Sequence, residues 1–275
     1  MKTLRLLLGD QLNYQHSWFQ NTDENVVYFM AEMKQETNYV KHHIQKVVAF
    51  FKSMRSFSDW LQREKHHIVY FTLDDKQNQH DLVENLKQLI KQQHIEKFEY
   101  QLPDEYRLDE QLQNFCKEIS IETKAYDTEH FLTSRTDFAE FFKGKKQFVM
   151  EYFYRDMRKK YDIMMLSEKN PEGRKWNFDQ SNRKKWKGTP EIPVEKKLEN
   201  SVSEIYEMIQ KAKIETMGSI DVENFSWTTN RPDALALLDY FCENLLAHFG
   251  DYQDAMHTKE YFLFHSRLSF AMNSK

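Results

Sequence analysis

The sequence predicts an α/β fold built on a doubly wound, five-stranded parallel sheet. Three observations carry this prediction. Apolar runs of strand length recur at Thr3–Leu8, Val26–Ala31, His67–Thr72, Phe98–Gln101 and Ser120–Lys124. Stretches of helical period lie between them, at Tyr39–Arg63, Asp81–Gln93 and Asp109–Glu118. Such alternation is the pattern of a parallel sheet with helices on both faces. The chain has 275 residues, 40% of them hydrophobic and 15% aromatic, which is enough for a sizeable core.

The first strand should end at Gly9, Asp10 and Gln11. Glycine there suits either a plain strand–helix turn or the close approach of a ligand to the backbone. Ligands of doubly wound sheets bind at the carboxyl ends of the strands. The sequence has neither a GxGxxG fingerprint nor a GxxxxGK[ST] loop, so no nucleotide motif supports that site. Val40, Ile44, Val47, Phe51, Met54 and Leu61 mark one face of the first long helix, and Leu82, Leu86, Leu89 and Ile90 mark the second. The pairs His42–His43 and His66–His67 point to opposite sides of their elements, and no HxxxH or CxxC pattern completes a metal site. Cys116 and Cys242 cannot form a disulfide framework and fit a reducing cytoplasm. No run of eighteen apolar residues is present.

A short helix is predicted over Phe131–Phe142 and a basic one over Gln147–Met165. In the basic helix Met150, Phe153, Tyr154, Met157 and Tyr161 recur on one face, with Arg155, Arg158, Lys159 and Lys160 between them. Glu172–Trp186 then reads as a loop that packs back on the protein with Arg174, Lys175 and Arg183 outward. Lys143–Lys187 holds 14 Lys and Arg against 6 Asp and Glu, a local +8 on a chain whose net charge is −4. A solvated basic surface and an anionic partner both account for such a zone. Three of the five prolines, Pro171, Pro190 and Pro193, fall in Glu168–Lys197, as in an interdomain tether or functional loop. Helices are predicted over Leu198–Lys213, Arg231–Phe249 and Tyr252–Ala271, with Pro232 in a first turn and Gly250 as a stop.

FVMEYFYRDMRKK (Phe148–Lys160) followed by GRKWNFDQSNRKK (Gly173–Lys185) resembles the centre of the photolyase-related proteins of bacteria. These are the iron–sulfur bacterial cryptochromes and photolyases, including the prokaryotic (6-4) photolyases. LLLGDQL (Leu6–Leu12), YVKHHIQKVVAFFKSMRSF (Tyr39–Phe57), HFGDYQDAM (His248–Met256) and FLFHSRLSFAMNSK (Phe262–Lys275) match in the same order. The resemblance implies three parts: an antenna-chromophore domain over 1–130, a basic helix and linker over 131–197, and the opening of an all-helical FAD-binding domain over 198–275. It implies an antenna pigment, 6,7-dimethyl-8-ribityllumazine, at Asp10, Glu32, Glu36, Tyr39 and Phe50, beside Gly9 and Gln11. Glu36 matches an acidic residue that contacts the chromophore in relatives. Phe50 stands where relatives carry a smaller aliphatic residue, so its ring is expected to crowd the pocket. His265, Ser266, Leu268 and Ser269 match a stretch that contacts the flavin and its phosphates.

The resemblance further implies a light-driven repair enzyme in which reduced FAD donates an electron to a pyrimidine photoproduct in damaged DNA. Arg155, Arg158, Lys159, Arg174, Lys175 and Arg183 are then the candidates for phosphate contact. Most FAD contacts, a 4Fe-4S cluster and the catalytic histidines of the family are expected beyond Lys275, so the chain reads as an N-terminal half that is inactive alone. Two alternatives stand beside this: a cryptochrome-like light sensor, and a non-enzymatic α/β module for a ligand or partner.

Overall fold

The computed structural model describes residues 1–274. Its sheet contains β1 (Thr3–Leu6), β2 (Val26–Ala31), β3 (His67–Phe71), β4 (Lys97–Gln101) and β5 (Glu122–Tyr126). The strands are all parallel, in the order β3-β2-β1-β4-β5. The order reverses beside β1, which opens a crevice at the carboxyl ends of β1 and β4. All six residues of β2 are buried, because helices cover both faces of this central strand. Its alternate residues serve two cores. Val26, Tyr28 and Met30 face one, while Val27, Phe29 and Ala31 face the other.

The helices follow from their periodic faces and caps. After β2 come α1 (Lys34–Asn38) and α2 (Ile44–Arg63); after β3, α3 (Leu82–Gln93); after β4, α4 (Tyr106–Glu118). The long helix read from Tyr39 begins only at Ile44, where the His43 ring accepts from the Gln45 N–H at 3.2 Å. Asp81 caps α3 by accepting from the Glu84 N–H.

Beyond the sheet come α5 (Arg135–Phe142), α6 (Met150–Lys160), α7 (Ser203–Lys211), α8 (Arg231–Asn244), α9 (Leu246–Tyr252) and α10 (Ser269–Ser274). Here the structure departs from several expectations. Residues 198–202 are not helical: Asn200 and Phe225 exchange backbone hydrogen bonds, and the Val202 N–H donates to Val222. The helix expected over Arg231–Phe249 breaks at buried Leu245, and Gly250 lies inside α9 and does not end it. The helix expected over Tyr252–Ala271 is absent apart from α10. In its place His257 accepts from the Lys259 and Glu260 N–H groups, a local turn that competes with helix, and Leu263 and Arg267 take left-handed backbone.

The chain divides into two compact units. The first is Met1–Thr128, Lys196–Leu238 and Arg267 onward; the second is Glu129–Glu195 and Asp239–Ser266. Within the first unit α7 belongs with the sheet, since Ile205, Met208 and Ile209 share a core with Val47, Phe51 and Met54 of α2.

A cavity at the carboxyl ends of the strands and a cationic aromatic cluster

In the first unit, the segments that follow β1, β2 and β4 converge on a cavity of about 240 Å³. Leu6, Leu7, Phe29, Val47, Phe51 and Met54 form its apolar wall, and Asp10, Glu36, His42, Lys46, Glu105 and Arg107 are its polar members. Five of the residues assigned to this site from sequence lie on it: Gly9, Asp10, Glu36, Tyr39 and Phe50. Gly9 packs tightly: a Cβ there would lie 3.0 Å from Met54 Sδ, so the flexible Met54 side chain would have to give way. Phe50 lines the cavity and holds its ring against Phe270 with centroids 5.5 Å apart.

Two other assigned residues are taken up by the framework. Gln11 is buried, accepting from the Leu8 N–H and donating to the Gln101 carbonyl. Glu32 is fully buried. It receives Arg55 Nε at 2.7 Å and Arg55 Nη2 at 3.2 Å, the Tyr70 hydroxyl at 2.8 Å and the Leu73 N–H at 2.9 Å. These partners satisfy a buried carboxylate completely, which is the work of a structural anchor. Burial, and then the neighbouring Glu32 carboxylate, push the Tyr70 phenol well above its ordinary value.

Arg107 is the cavity residue that sequence reasoning missed. Its guanidinium pairs with Glu36 at 2.9 Å and lies 4.6 Å from the Tyr39 ring centre. It sits just past the carboxyl end of β4, so the rule that ligands gather at strand ends was a usable signal. His42, also missed, packs edge-on against Tyr39 at 5.1 Å. Burial, and then Lys46, hold its pKa below the ordinary histidine value.

The second unit gathers the basic stretch around Trp176. Arg155 and Arg158 each lie 5.4 Å from the Trp176 ring centre and Lys159 5.5 Å. Such cation–π contacts favour cations over the indole face. Arg155 also pairs with Glu151. Arg158 is 7% exposed and donates to the carbonyls of Ile163 and Met164, so it closes the end of α6 and does not face outward. Arg183 is exposed and pairs with Asp254 at 3.2 Å. Arg174 and Lys175 are exposed and make no ion pair among the described residues. The face expected to pack α6 is only partly buried: Phe153 is inside, while Met150, Tyr154 and Tyr161 are exposed.

His265, Ser266, Leu268 and Ser269 do not line the strand-end cavity. Ser266 and Arg267 fall in different compact units. No group of three metal-ligating side chains occurs among the described residues.

Comparison with known proteins gives the family of the chain. The family model for deoxyribodipyrimidine photo-lyase-related protein matches residues 5–227. A (6-4) photolyase of Agrobacterium fabrum is 31% identical over 277 residues, covering 99% of this chain and 54% of that protein. The chain thus spans about half the length of the curated relative it matches. It belongs to the deoxyribodipyrimidine photo-lyase-related protein family.

Proposed function

We propose that this chain is the pigment-holding and DNA-approaching part of a light-driven DNA-repair protein of the (6-4) photolyase type. The observation that carries the reading is the 31% identity to a (6-4) photolyase sustained along 99% of the chain. In this reading the strand-end cavity takes a flat heteroaromatic antenna such as 6,7-dimethyl-8-ribityllumazine. The donor set suits that class. Apolar walls and the Tyr39 and Phe50 rings flank a planar ring, and Asp10, Glu36 and Arg107 offer partners for carbonyl and hydroxyl groups. When bound, the pigment supplies light absorption. The residues around it fix its plane and keep water from its faces.

The volume argues for a restricted site. Ligand pockets commonly run from about 300 to 1,000 Å³, and Phe50 occupies space in this one of about 240 Å³. Full seating of the pigment requires Phe50 to turn aside. FAD is a different case: the chain spans 54% of the (6-4) photolyase it matches, and a flavin site is proposed for the full-length protein, with the His265–Ser269 stretch as one part of it. Repair of a pyrimidine photoproduct is accordingly proposed for a protein that contains this chain together with a flavin site.

DNA approach is assigned to Arg174 and Lys175, with Lys159 and Arg183 beside them in sequence reading. The first two carry charge without a carboxylate partner among the described residues, which suits phosphate contact. The reading is tested in cells. A strain lacking the gene for this chain should lose blue-light-dependent removal of (6-4) photoproducts after ultraviolet exposure. Unchanged removal would overturn the repair reading.

A further inference from the structure

A second cavity in the first unit, of about 110 Å³, lies at the start of α8. It is separate from the strand-end cavity and shares none of its residues. Leu12, Phe57, Ala234 and Ala271 give it apolar walls, and its polar members are Tyr14, Ser53, Thr228, Thr229, Asn230, Arg231 and Ser274. Among the described residues no carboxylate lines it, and Arg231 is the one charged residue that does.

Three independent features give the cavity a positive, donor-rich interior. The guanidinium of half-buried Arg231 has no ion-pair partner among the described residues. Thr229 is 1% exposed, and its hydroxyl has no hydrogen-bond partner among the described residues although it lines the cavity. A buried hydroxyl without a partner is costly, so a ligand that accepts from it is stabilised there. Finally, the 14-residue helix α8 begins at this point and directs the positive end of its dipole toward the cavity. Its first backbone donors are already engaged: Asn230 accepts from the Asp233 N–H at 2.9 Å, and the Ala234 N–H donates to the Asn230 carbonyl at 3.2 Å. The ligand contacts must therefore come from side chains.

We infer that this cavity binds a small tetrahedral oxyanion of the phosphate class, held by Arg231 and the Thr229 hydroxyl. Arg231 supplies a planar fork of donors that matches two phosphate oxygens. Ser53 and Tyr14 line the same space and bound its size. The volume accommodates one such group and little more, which excludes a whole nucleotide. Free phosphate and the phosphoryl end of a larger ester share the recognised chemistry.

Calorimetric titration in phosphate-free buffer tests the site. Inorganic phosphate and ribose 5-phosphate are the two probes. Saturable binding of either one supports the site, and the tighter of the two identifies the source as free ion or phosphoryl end. Arg231→Gln should weaken binding roughly tenfold, equivalent to about 1.4 kcal/mol. Thr229→Val, which keeps the shape and removes the hydroxyl, should weaken it severalfold. Lys52→Gln, a cation outside the cavity, should leave it unchanged. Circular dichroism of each variant establishes that it is folded, and Thr229→Val serves if Arg231→Gln is not. Absence of saturable binding by the unaltered chain overturns the inference. So does equal binding by folded Arg231→Gln and Thr229→Val, which would show an adventitious ion only.

Discussion

At Phe50 a single ring decides how much of the strand-end cavity is free. Replacing it by isoleucine removes the ring from the wall and from its contact with Phe270. Phe50→Ile should therefore raise lumazine uptake by roughly tenfold, since overpacking typically costs about 1–3 kcal/mol. Equilibrium dialysis read by pigment absorbance measures this, and tight uptake that the substitution leaves unaltered would show that Phe50 does not limit the site. Glu99 illustrates a residue whose charge serves stability. It is 3% exposed and pairs with Arg5 at 2.8 Å, Lys97 at 3.1 Å and the Tyr126 hydroxyl at 2.9 Å. Burial pushes its pKa up, but the hydrogen bonds from Arg5, Tyr126 and Lys97 together hold it below the ordinary glutamate value. A depressed folded pKa gives stability that is present above the unfolded value and is lost as the pH falls through the folded one. Glu99→Gln should accordingly lower the urea midpoint at pH 7, and the gap to the unaltered chain should close on acidification below about pH 4.5. A gap that persists at low pH would assign the loss to packing instead.

Among the elements, α2 depends on a neighbour far away in sequence. Gly218 has φ +79° and a Cβ there would lie 1.9 Å from His43 Nε2, the ring that caps α2. Gly218→Ala should destabilise the fold by about 1–3 kcal/mol through backbone strain and displacement of that cap. Thermal unfolding tests it, and an unchanged midpoint would mean that His43 moves aside without cost. The α6 and loop pair carries the DNA prediction. Of the six cations assigned to phosphate, Arg155, Arg158 and Lys159 lie over Trp176, and Arg183 has a carboxylate partner. Arg174 and Lys175 are left as the contacts to test. Replacing both by alanine in the full-length protein should flatten the slope of log affinity against log salt by roughly 1–2 units for duplex DNA. Damaged and undamaged DNA should weaken alike, because phosphate contacts carry no lesion information. An unchanged slope would make this loop a solvated surface.

For the molecule as a whole, the share of its relative that the chain spans bears on the flavin. Because the chain spans about half the length of the (6-4) photolyase it matches, this chain alone should retain no stoichiometric FAD after gel filtration. Flavin near one per chain in the eluted peak would overturn that. What the sequence determined by itself was the sheet. Val26–Ala31 reads as a strand from six consecutive apolar residues, because such a signal is local in the chain. Asp10, Glu36, Tyr39 and Phe50, which the family resemblance groups together, line one cavity. Tertiary structure alone decided which polar residues were framework. Glu32 and Asp10 look alike on paper, and only the approach of Arg55, Tyr70 and Leu73 makes Glu32 an anchor. Arg158 and Arg174 are likewise equal in a charge count, yet one caps a helix end internally and the other is exposed. The physical reason is common to both cases: a charged side chain's role depends on partners brought together across the fold, and those partners are distant in sequence or set by a turn that charge patterning does not record.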